Sequence, residues 1–176
     1  GVIGSLEDCK TVKEDIKNYL KEALKLELSD EKTLITNAQK PAKFLGFDIF
    51  IRRSNDLRKD INGKTIRSLG HVPVLYLNYE TMRKKLFDYK AARIAVENGK
   101  EIWKSIVRTY MIDLDDLEIV SQFNAEIRGF YNYYSIANNS PAINSFYHIM
   151  SYSMYKTFAR KYKSSVKKIL FQYKKD

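Results

Sequence analysis

The last third of the chain combines many basic and aromatic residues with almost no acidic ones. After Glu126 no residue carries a carboxylate side chain until Asp176, and ten aromatic residues lie from Phe130 to Tyr162. Lysine and arginine neutralise phosphates, and aromatic rings stack on bases. The nine basic residues of this acid-free stretch are Arg128, Lys156, Arg160, Lys161, Lys163, Lys167, Lys168, Lys174 and Lys175.

A row of cations is predicted near the C-terminal end. Four basic residues recur at intervals of four, three and four, so a continuous helix would place them on one face. A charged helix face is often simply solvated, but here no glutamate is interleaved to neutralise it. We therefore predict nucleic-acid contacts for Lys156, Arg160, Lys163 and Lys167, and for Lys161 and Lys168 beside them.

A second group of candidate contacts precedes this row. Arg128 and Asn132 are one helical turn apart, and with Tyr133 they lie off the apolar stripe that runs from Ile119 to Tyr134. We predict contacts of these three residues with RNA or with a duplex. A polar helix surface without a ligand is the alternative.

The composition describes a folded protein with a polarised charge. Of the 176 residues, 44% are hydrophobic and 30% are charged, and the net charge is +10. Residues 1–31 hold eight acidic residues against five lysines, so the positive charge is concentrated later in the chain. No apolar run approaches the roughly 20 residues that span a bilayer. One cysteine and two separate histidines make no metal-ligand pattern, and we expect a cytoplasmic protein without a metal site.

The elements that must position these residues change in type along the chain. The first half reads as a helix over 5–24, capped by Ser5, followed by short antiparallel strands. One strand is predicted over 43–52, the dipeptide Asn62-Gly63 predicts a two-residue hairpin turn, and Pro73 indicates an edge strand.

From Asn78 onward the pattern is helical. Residues 101–111 are expected to be a short helical or irregular piece, and Asp113 with Asp116 is predicted to open the next helix. Ser140 is predicted to cap the last long helix. The fold class is therefore α+β.

Three segments in the order of the chain resemble the group II intron-encoded reverse transcriptase/maturase family. Residues 24–49, LKLELSDEKTLITNAQKPAKFLGFDI, resemble the two palm motifs that follow the catalytic hairpin in these polymerases. Residues 118–139, EIVSQFNAEIRGFYNYYSIANN, are similar to the start of the maturase or X domain, which is the polymerase thumb. Residues 149–165, IMSYSMYKTFARKYKSS, are similar to the following thumb helix.

The resemblance implies two parts. Residues 1–75 would be the C-terminal part of the palm, with one helix on short antiparallel strands, and residues 76–176 would be a three-helix thumb bundle. The family's catalytic carboxylates lie on a Tyr-x-Asp-Asp hairpin just upstream of the matching region. We therefore expect a fragment that lacks the fingers and the catalytic half of the palm, needs no cofactor and is inactive alone, whereas the parent RNA-directed DNA polymerase uses Mg²⁺.

The resemblance also assigns roles residue by residue. Lys32 matches the lysine that the family places beside the incoming triphosphate. Phe44, Leu45 and Gly46 match the primer grip, a hairpin that fixes the primer end. The acid-free surface would hold structured intron RNA and RNA–DNA duplex during splicing and mobility. Two alternatives stay open: a protein-interaction module that forms a homodimer, or one half of a split active polymerase that joins its missing N-terminal half.

Overall fold

The structure, a computed structural model, describes residues 1–52, 57–67 and 72–173. Its helices are α1 (Leu6–Ala23), α2 (Tyr79–Asp88), α3 (Asp116–Tyr134), α4 (Ala142–Lys161) and α5 (Val166–Tyr173), with a 3₁₀ turn at Thr109–Met111. Its strands are β1 (Ala42–Phe44), β2 (Phe47–Arg52), β3 (Leu57–Lys59), β4 (Thr65–Arg67), β5 (Val72–Leu77), β6 (Ala92–Glu97) and β7 (Lys100–Ser105). Helices combined with short antiparallel strands confirm the α+β class.

Two compact units make up the chain, Gly1–Ala42 and Lys43–Asp176. This boundary differs from the predicted division into palm and thumb after residue 75, which stays a prediction.

Helix α1 of the first unit begins as predicted. The Ser5 hydroxyl accepts a hydrogen bond from the N–H of Asp8, and the Asp8 carboxylate accepts one from the N–H of Ser5 at 2.6 Å. The Ser5 hydroxyl also donates to the Asp8 carboxylate, and the Ser5 N–H first and this hydroxyl second hold the pKa of Asp8 below its usual value. No residue of the helix is buried, and Ile16 and Tyr19 are 49% and 62% exposed.

A three-stranded sheet in the order β1-β2-β5 starts the second unit. The antiparallel pair β2–β5 sets Phe47 opposite Leu77 and Arg52 opposite Val72. The prediction of one strand over 43–52 is wrong, because the chain reverses between β1 and β2 at Leu45 and Gly46. Their φ angles are 50° and 83°, as a two-residue hairpin turn of this kind requires.

Strand β5 is an edge strand, as Pro73 predicts, and its outer edge is covered by side chains. The N–H groups of Leu75 and Leu77 donate to the amide oxygens of Asn138 and Asn139, at 2.8 and 2.7 Å. In return the Asn138 N–H donates to the Leu75 carbonyl, and the Asn139 amide nitrogen donates to the Leu77 carbonyl. The loop between α3 and α4 therefore takes the place of a neighbouring strand.

The hairpin at Asn62-Gly63 exists, but its turn is longer than predicted. Strands β3 and β4 pair from Leu57 with Arg67 to Lys59 with Thr65. The N–H of Asp60 donates to the Lys64 carbonyl at 2.9 Å, which leaves three residues in the loop. Gly63 has a φ of 77°, whereas Asn62 stays at negative φ. This is the pattern of a three-residue loop that ends in a left-handed glycine, not of a two-residue turn.

The hairpin β6–β7 was missed from the sequence. Residues 100–105 form a strand, so the prediction of a helical or irregular piece over 101–111 is wrong for its first half. Asn98 and Gly99 connect the strands with φ angles of 53° and 74°, and Glu97 pairs with Lys100. Here the Asn-Gly dipeptide does form a two-residue turn.

Helix α4 is the centre of the second unit, because α2, α3, α5 and the β6–β7 hairpin all pack against it. Its buried side includes Phe146, whose ring stacks on Phe130 of α3 with centroids 3.8 Å apart. Helical spacing in the sequence predicts a buried stripe of Ile143, Tyr147, Met150, Met154 and Phe158, but Tyr147 is 54% exposed. At this level of the helix Phe146, and not Tyr147, therefore faces the core.

The ends of these helices differ from prediction by a few residues. The N-cap of α3 is Asp115, in a capping box with Glu118, so Asp113 and Asp116 do not form the cap. Pro141 is the residue before α4, and no side chain caps that helix. Ser140 therefore does not have the predicted capping role.

A buried ion pair lies inside the helical core. The side chain of Arg108 is fully buried, and its Nη2 atom lies 2.7 Å from Oε2 of Glu126 on α3, whose side chain is 10% exposed. The guanidinium carbon lies 4.1 Å from the centre of the Phe123 ring. The main-chain N–H of Arg108 donates to Oγ1 of Thr157 on α4. Arg108 thus connects α3 and α4 to the segment that follows β7.

Candidate nucleic-acid interface

The outward face of α3 carries one group of predicted contacts. Its inward face buries Ile119, Phe123, Phe130 and Tyr134, which the apolar stripe predicts. On the other side Asn124, Arg128 and Asn132 are exposed and follow one another at intervals of one turn. Their position off the core is confirmed, and their contact with RNA stays a prediction.

A flat strip of small residues lies on the same side of α3. Ser121, Ala125 and Gly129 are exposed and are spaced by four residues. A Cβ atom added at Gly129 would meet no heavy atom within 4 Å. The strip leaves room for a bulky ligand to come close to the helix backbone beside Arg128 and Asn132.

The basic row is divided between two helices. Helix α4 ends at Lys161, and the chain turns at Lys163, whose φ is 46°, before α5 begins at Val166. Residues 156–167 therefore do not form the continuous helix that would place the four cations in one row. Arg160 is exposed at the end of α4, Lys163 in the turn, and Lys167 and Lys168 on α5.

Two of the predicted lysines are held by the protein itself. Lys156 is half-buried and donates from Nζ to the Ser105 carbonyl at 2.7 Å. Lys161 donates to the Leu114 carbonyl at 2.5 Å and pairs with Asp116 at 2.7 Å. Lys161 and then the Tyr162 hydroxyl, which also donates to Asp116, hold the pKa of that carboxyl below its usual value. We call the four exposed cations Arg160, Lys163, Lys167 and Lys168 the cationic patch.

Tyr133, predicted to bind RNA together with Arg128, contacts the predicted primer grip of the same chain. Its hydroxyl donates to the Leu45 carbonyl at 3.1 Å, and its ring stacks on Phe47 at 5.7 Å. Gly46 packs closely against the neighbouring Tyr134, since a Cβ added at Gly46 would be 2.6 Å from the Tyr134 hydroxyl oxygen. Phe44 and Leu45, at 58% and 65% exposure, are left facing solvent. The structure therefore brings together two sites that the sequence treats separately.

A depression of about 230 Å³ lies beside this turn. An ion pair between Lys43 and Glu80, at 2.6 Å, lies on its rim, and Asn78 donates to both carboxylate oxygens of Asp48 nearby. The ion pair raises the pKa of Lys43 and lowers that of Glu80. The lining residues are Lys43, Phe44, Leu45, Gly46, Phe47, Asn78, Glu80 and Thr81.

Lys32 belongs to the first unit and lies in a turn around Ser29, whose carbonyl accepts from the N–H groups of Lys32 and Thr33. Its side chain is exposed. The role beside a triphosphate stays a prediction.

Over residues 1–52, 57–67 and 72–173, no three His, Cys, Asp or Glu side chains are close enough to hold a metal ion. The Mg²⁺ expected for the parent polymerase stays a prediction. Within the same ranges no helix is long and apolar enough to cross a membrane.

Comparison with known proteins matches residues 75–175 to the type II intron maturase family. The group II intron-encoded protein LtrA of Lactococcus lactis subsp. cremoris is 40% identical over 173 residues, which cover 98% of this chain and 28% of that protein. A Saccharomyces cerevisiae protein named for intron 1 of COX1/OXI3 is 35% identical over 175 residues, covering 93% of this chain and 20% of that protein. The chain therefore spans less than a third of the length of either relative.

Proposed function

We propose, since the chain belongs to the type II intron maturase family, that it binds structured intron RNA and RNA–DNA duplex and so serves the splicing and mobility of a group II intron. The matched family is described as type II intron maturase, and the relative LtrA is named as a group II intron-encoded protein. The basic surface of α3, α4 and α5 fits an RNA ligand. An A-form duplex is recognised mainly through its shape and its phosphates, which suits exposed cations without a base-reading pattern.

One observation carries the proposal: the four exposed cations of the cationic patch lie in a stretch with no acidic residue from 127 to 175. The carboxylate that comes close to this region, Asp116, is engaged by Lys161 and Tyr162. An uncompensated patch attracts a polyanion and releases its counterions. Exposed Asn124, Arg128 and Asn132 on α3 extend the surface with further hydrogen-bonding groups.

Catalytic roles are proposed only for the full-length parent, an RNA-directed DNA polymerase. There Phe44, Leu45 and Gly46 would position the primer end, and Lys32 would lie beside the triphosphate. The turn at Leu45 and Gly46 suits a positioning role because Tyr133 and Tyr134 of α3 contact it and hold it in place.

The test of RNA binding is the dependence of affinity on salt. Replacing Arg160, Lys163, Lys167 and Lys168 together by glutamine is expected to weaken binding to a structured RNA. The slope of log K against log salt should fall by roughly 3, at about 0.7–0.9 for each lost phosphate contact. Fluorescence anisotropy over a salt series measures both quantities.

A matched control removes the same charge elsewhere in the second unit. Lys84 and Lys85 of α2, Lys90 in the following turn and Arg93 of β6 are exposed cations, and their replacement by glutamine also lowers the net charge by four. We expect this variant to keep most of the slope. Equal slopes for the two variants would show attraction by overall charge and would refute the cationic patch as the docking surface.

Self-association is a second candidate function, favoured by the apolar surface of the first unit. Leu6, Ile16, Tyr19, Leu24 and Leu26 are each about half exposed, and α1 buries no residue. Such a face is costly to leave in water. We propose that a second copy of the chain covers it, so light scattering should show a dimer or larger species. Sulfate should strengthen this association, whereas salt weakens RNA binding. A monomer at high micromolar concentration would contradict it.

A further inference from the structure

The solvent side of α4 carries four aromatic side chains, which we call the aromatic row: Tyr147, His148, Tyr152 and Tyr155. The ring centroids of His148 and Tyr152 are 4.6 Å apart, and those of Tyr152 and Tyr155 are 6.0 Å apart. The rings of His148, Tyr152 and Tyr155 therefore already lie side by side on the surface of one helix. Helical spacing in the sequence makes Tyr152 and Tyr155 candidates for contact with sugar or base, and the structure places His148 and Tyr147 beside them.

The aromatic row is not required for the core. Helix α4 buries Ile143, Phe146, Met150 and Phe158 on its other side. Tyr147 is 54% and Tyr152 is 37% exposed, and His148 is exposed as well. Tyr155 is half-buried and anchors the row, and burial, followed by the neighbouring Tyr147 and Tyr152, raises the pKa of Tyr155. Ring faces thus remain accessible on a rigid support.

Charge determines which kind of partner fits these rings. His148, Tyr152, Lys156 and Arg160 follow one another at intervals of four residues, so the row continues along the helix into an exposed arginine of the cationic patch. No carboxylate lies in this part of the sequence to attract a basic protein partner. Flat rings next to phosphate-binding cations match a ligand that has both flat apolar faces and anionic groups, as a nucleotide has.

Only unpaired nucleotides present such faces. In a duplex the base faces are stacked inside the helix, whereas bases of loops, bulges and single strands can be splayed out and stacked on tyrosine or histidine. From His148 to Tyr155 the helix rises by about 10 Å, enough for about two or three nucleotides.

We propose that the aromatic row is a stacking site for two or three unpaired nucleotides of RNA, adjacent to the cationic patch that binds the phosphates. The proposal rests on the proposed function for the nature of the ligand and adds the class of RNA element that is recognised. The duplex is held by charge, and a neighbouring loop or bulge is held by its bases.

The experiment compares three RNAs: a single-stranded oligonucleotide with 2-aminopurine at its centre, a strand of the same length and charge with abasic sites in place of the central bases, and a blunt duplex. For the unmodified chain the base-bearing strand should bind about tenfold more tightly than the abasic strand, as about 1.4 kcal/mol of stacking predicts. The fluorescence of 2-aminopurine should be quenched on binding, because this base loses emission when it stacks.

Substitution of the central ring tests the assignment to α4. Tyr152→Leu should remove most of the preference for the base-bearing strand and most of the quenching. It should leave the affinities for the abasic strand and the duplex unchanged. Tyr152→Phe, which keeps the ring, should restore both readouts. Tyr79→Leu, at a tyrosine of α2 that is 63% exposed, is the matched control and should change neither.

The outcomes separate this proposal from the proposed function. Equal affinity of the unmodified chain for base-bearing and abasic strands, with intact duplex binding, would overturn the stacking site and leave RNA binding by charge in place. Absence of binding to all three RNAs would overturn both. An unchanged preference in Tyr152→Leu, or a loss in Tyr152→Phe equal to that in Tyr152→Leu, would show that the ring of Tyr152 is not the platform.

Discussion

Replacing Glu126 by leucine is expected to lower the free energy of unfolding by about 3–5 kcal/mol. The substitution leaves the guanidinium of Arg108 buried without its counterion, and an uncompensated buried charge is among the most destabilising changes in a protein interior. Arg108 cannot turn to water, because its side chain is fully buried over the Phe123 ring and beside the sulfur of Met150. Urea denaturation followed by circular dichroism measures the loss.

A double substitution distinguishes the charge from the packing. In Arg108→Met with Glu126→Leu both charges are gone and apolar side chains fill the space. Replacing a buried pair in this way is often close to neutral, so we expect the double variant to be more stable than Glu126→Leu alone. Arg128→Met is the control, since it removes an exposed arginine of the same helix and should change stability by less than about 0.5 kcal/mol. A Glu126→Leu protein as stable as the unmodified chain would contradict the assignment of a critical buried pair.

Gly46→Ala is expected to destabilise the protein by about 2–4 kcal/mol, from two separate costs. A residue with a side chain held at a φ of 83° loses roughly 1–3 kcal/mol relative to glycine. In addition, the new Cβ would lie 2.6 Å from the Tyr134 hydroxyl oxygen and 3.2 Å from Cγ2 of Thr81, so the turn must move away from α3. Movement of the turn should also break the bond from the Tyr133 hydroxyl to the Leu45 carbonyl.

Gly63→Ala separates the two costs. Gly63 has a similar φ of 77°, but a Cβ there would meet nothing within 4 Å, so this variant carries only the backbone cost. The difference in unfolding free energy between the variants then reports the clash with α3. Tyr134→Phe removes the hydroxyl that the Cβ meets and should recover part of the loss in Gly46→Ala. If Gly46→Ala and Gly63→Ala are equally destabilised, the close approach of turn and helix is refuted.

Local signals in the sequence predict much of the fold. The capping residues Ser5 and Asp8 mark the start of α1, Pro73 marks an edge strand, and the apolar stripe of α3 marks its buried side. Each of these follows from neighbouring residues or from one helical period. The buried side of α4 is less well determined, because the pattern of apolar residues continues onto its aromatic outer face.

Pairing between strands is harder to predict, as the two Asn-Gly dipeptides show. Both permit a left-handed turn, but the one at residues 62–63 lies in a three-residue loop, whereas the one at 98–99 forms a two-residue turn. Loop length depends on the register of the flanking strands, which the dipeptide does not encode. The strand Lys100–Ser105 has charged and apolar residues in nearly equal number and becomes a strand through its pairing with β6.

Prediction of the candidate site is limited by contacts between distant parts of the chain. Helical spacing correctly places Arg128 and Asn132 outside the core. The bonds from Lys156 to Ser105 and from Tyr133 to Leu45 join residues 51 and 88 positions apart, and spacing within one helix gives no sign of them. Whether a surface lysine is available to a ligand therefore depends on tertiary contacts.

The asparagine side chains along β5 also bear on how the sheet behaves at high concentration. Unpaired N–H and C=O groups of an edge strand can template a further strand from another molecule and start an aggregate. Here Asn138 and Asn139 occupy the outward groups of Leu75 and Leu77, and Pro73 presents no N–H on that side. Growth of the three-stranded sheet from one molecule to the next is therefore blocked beside β5.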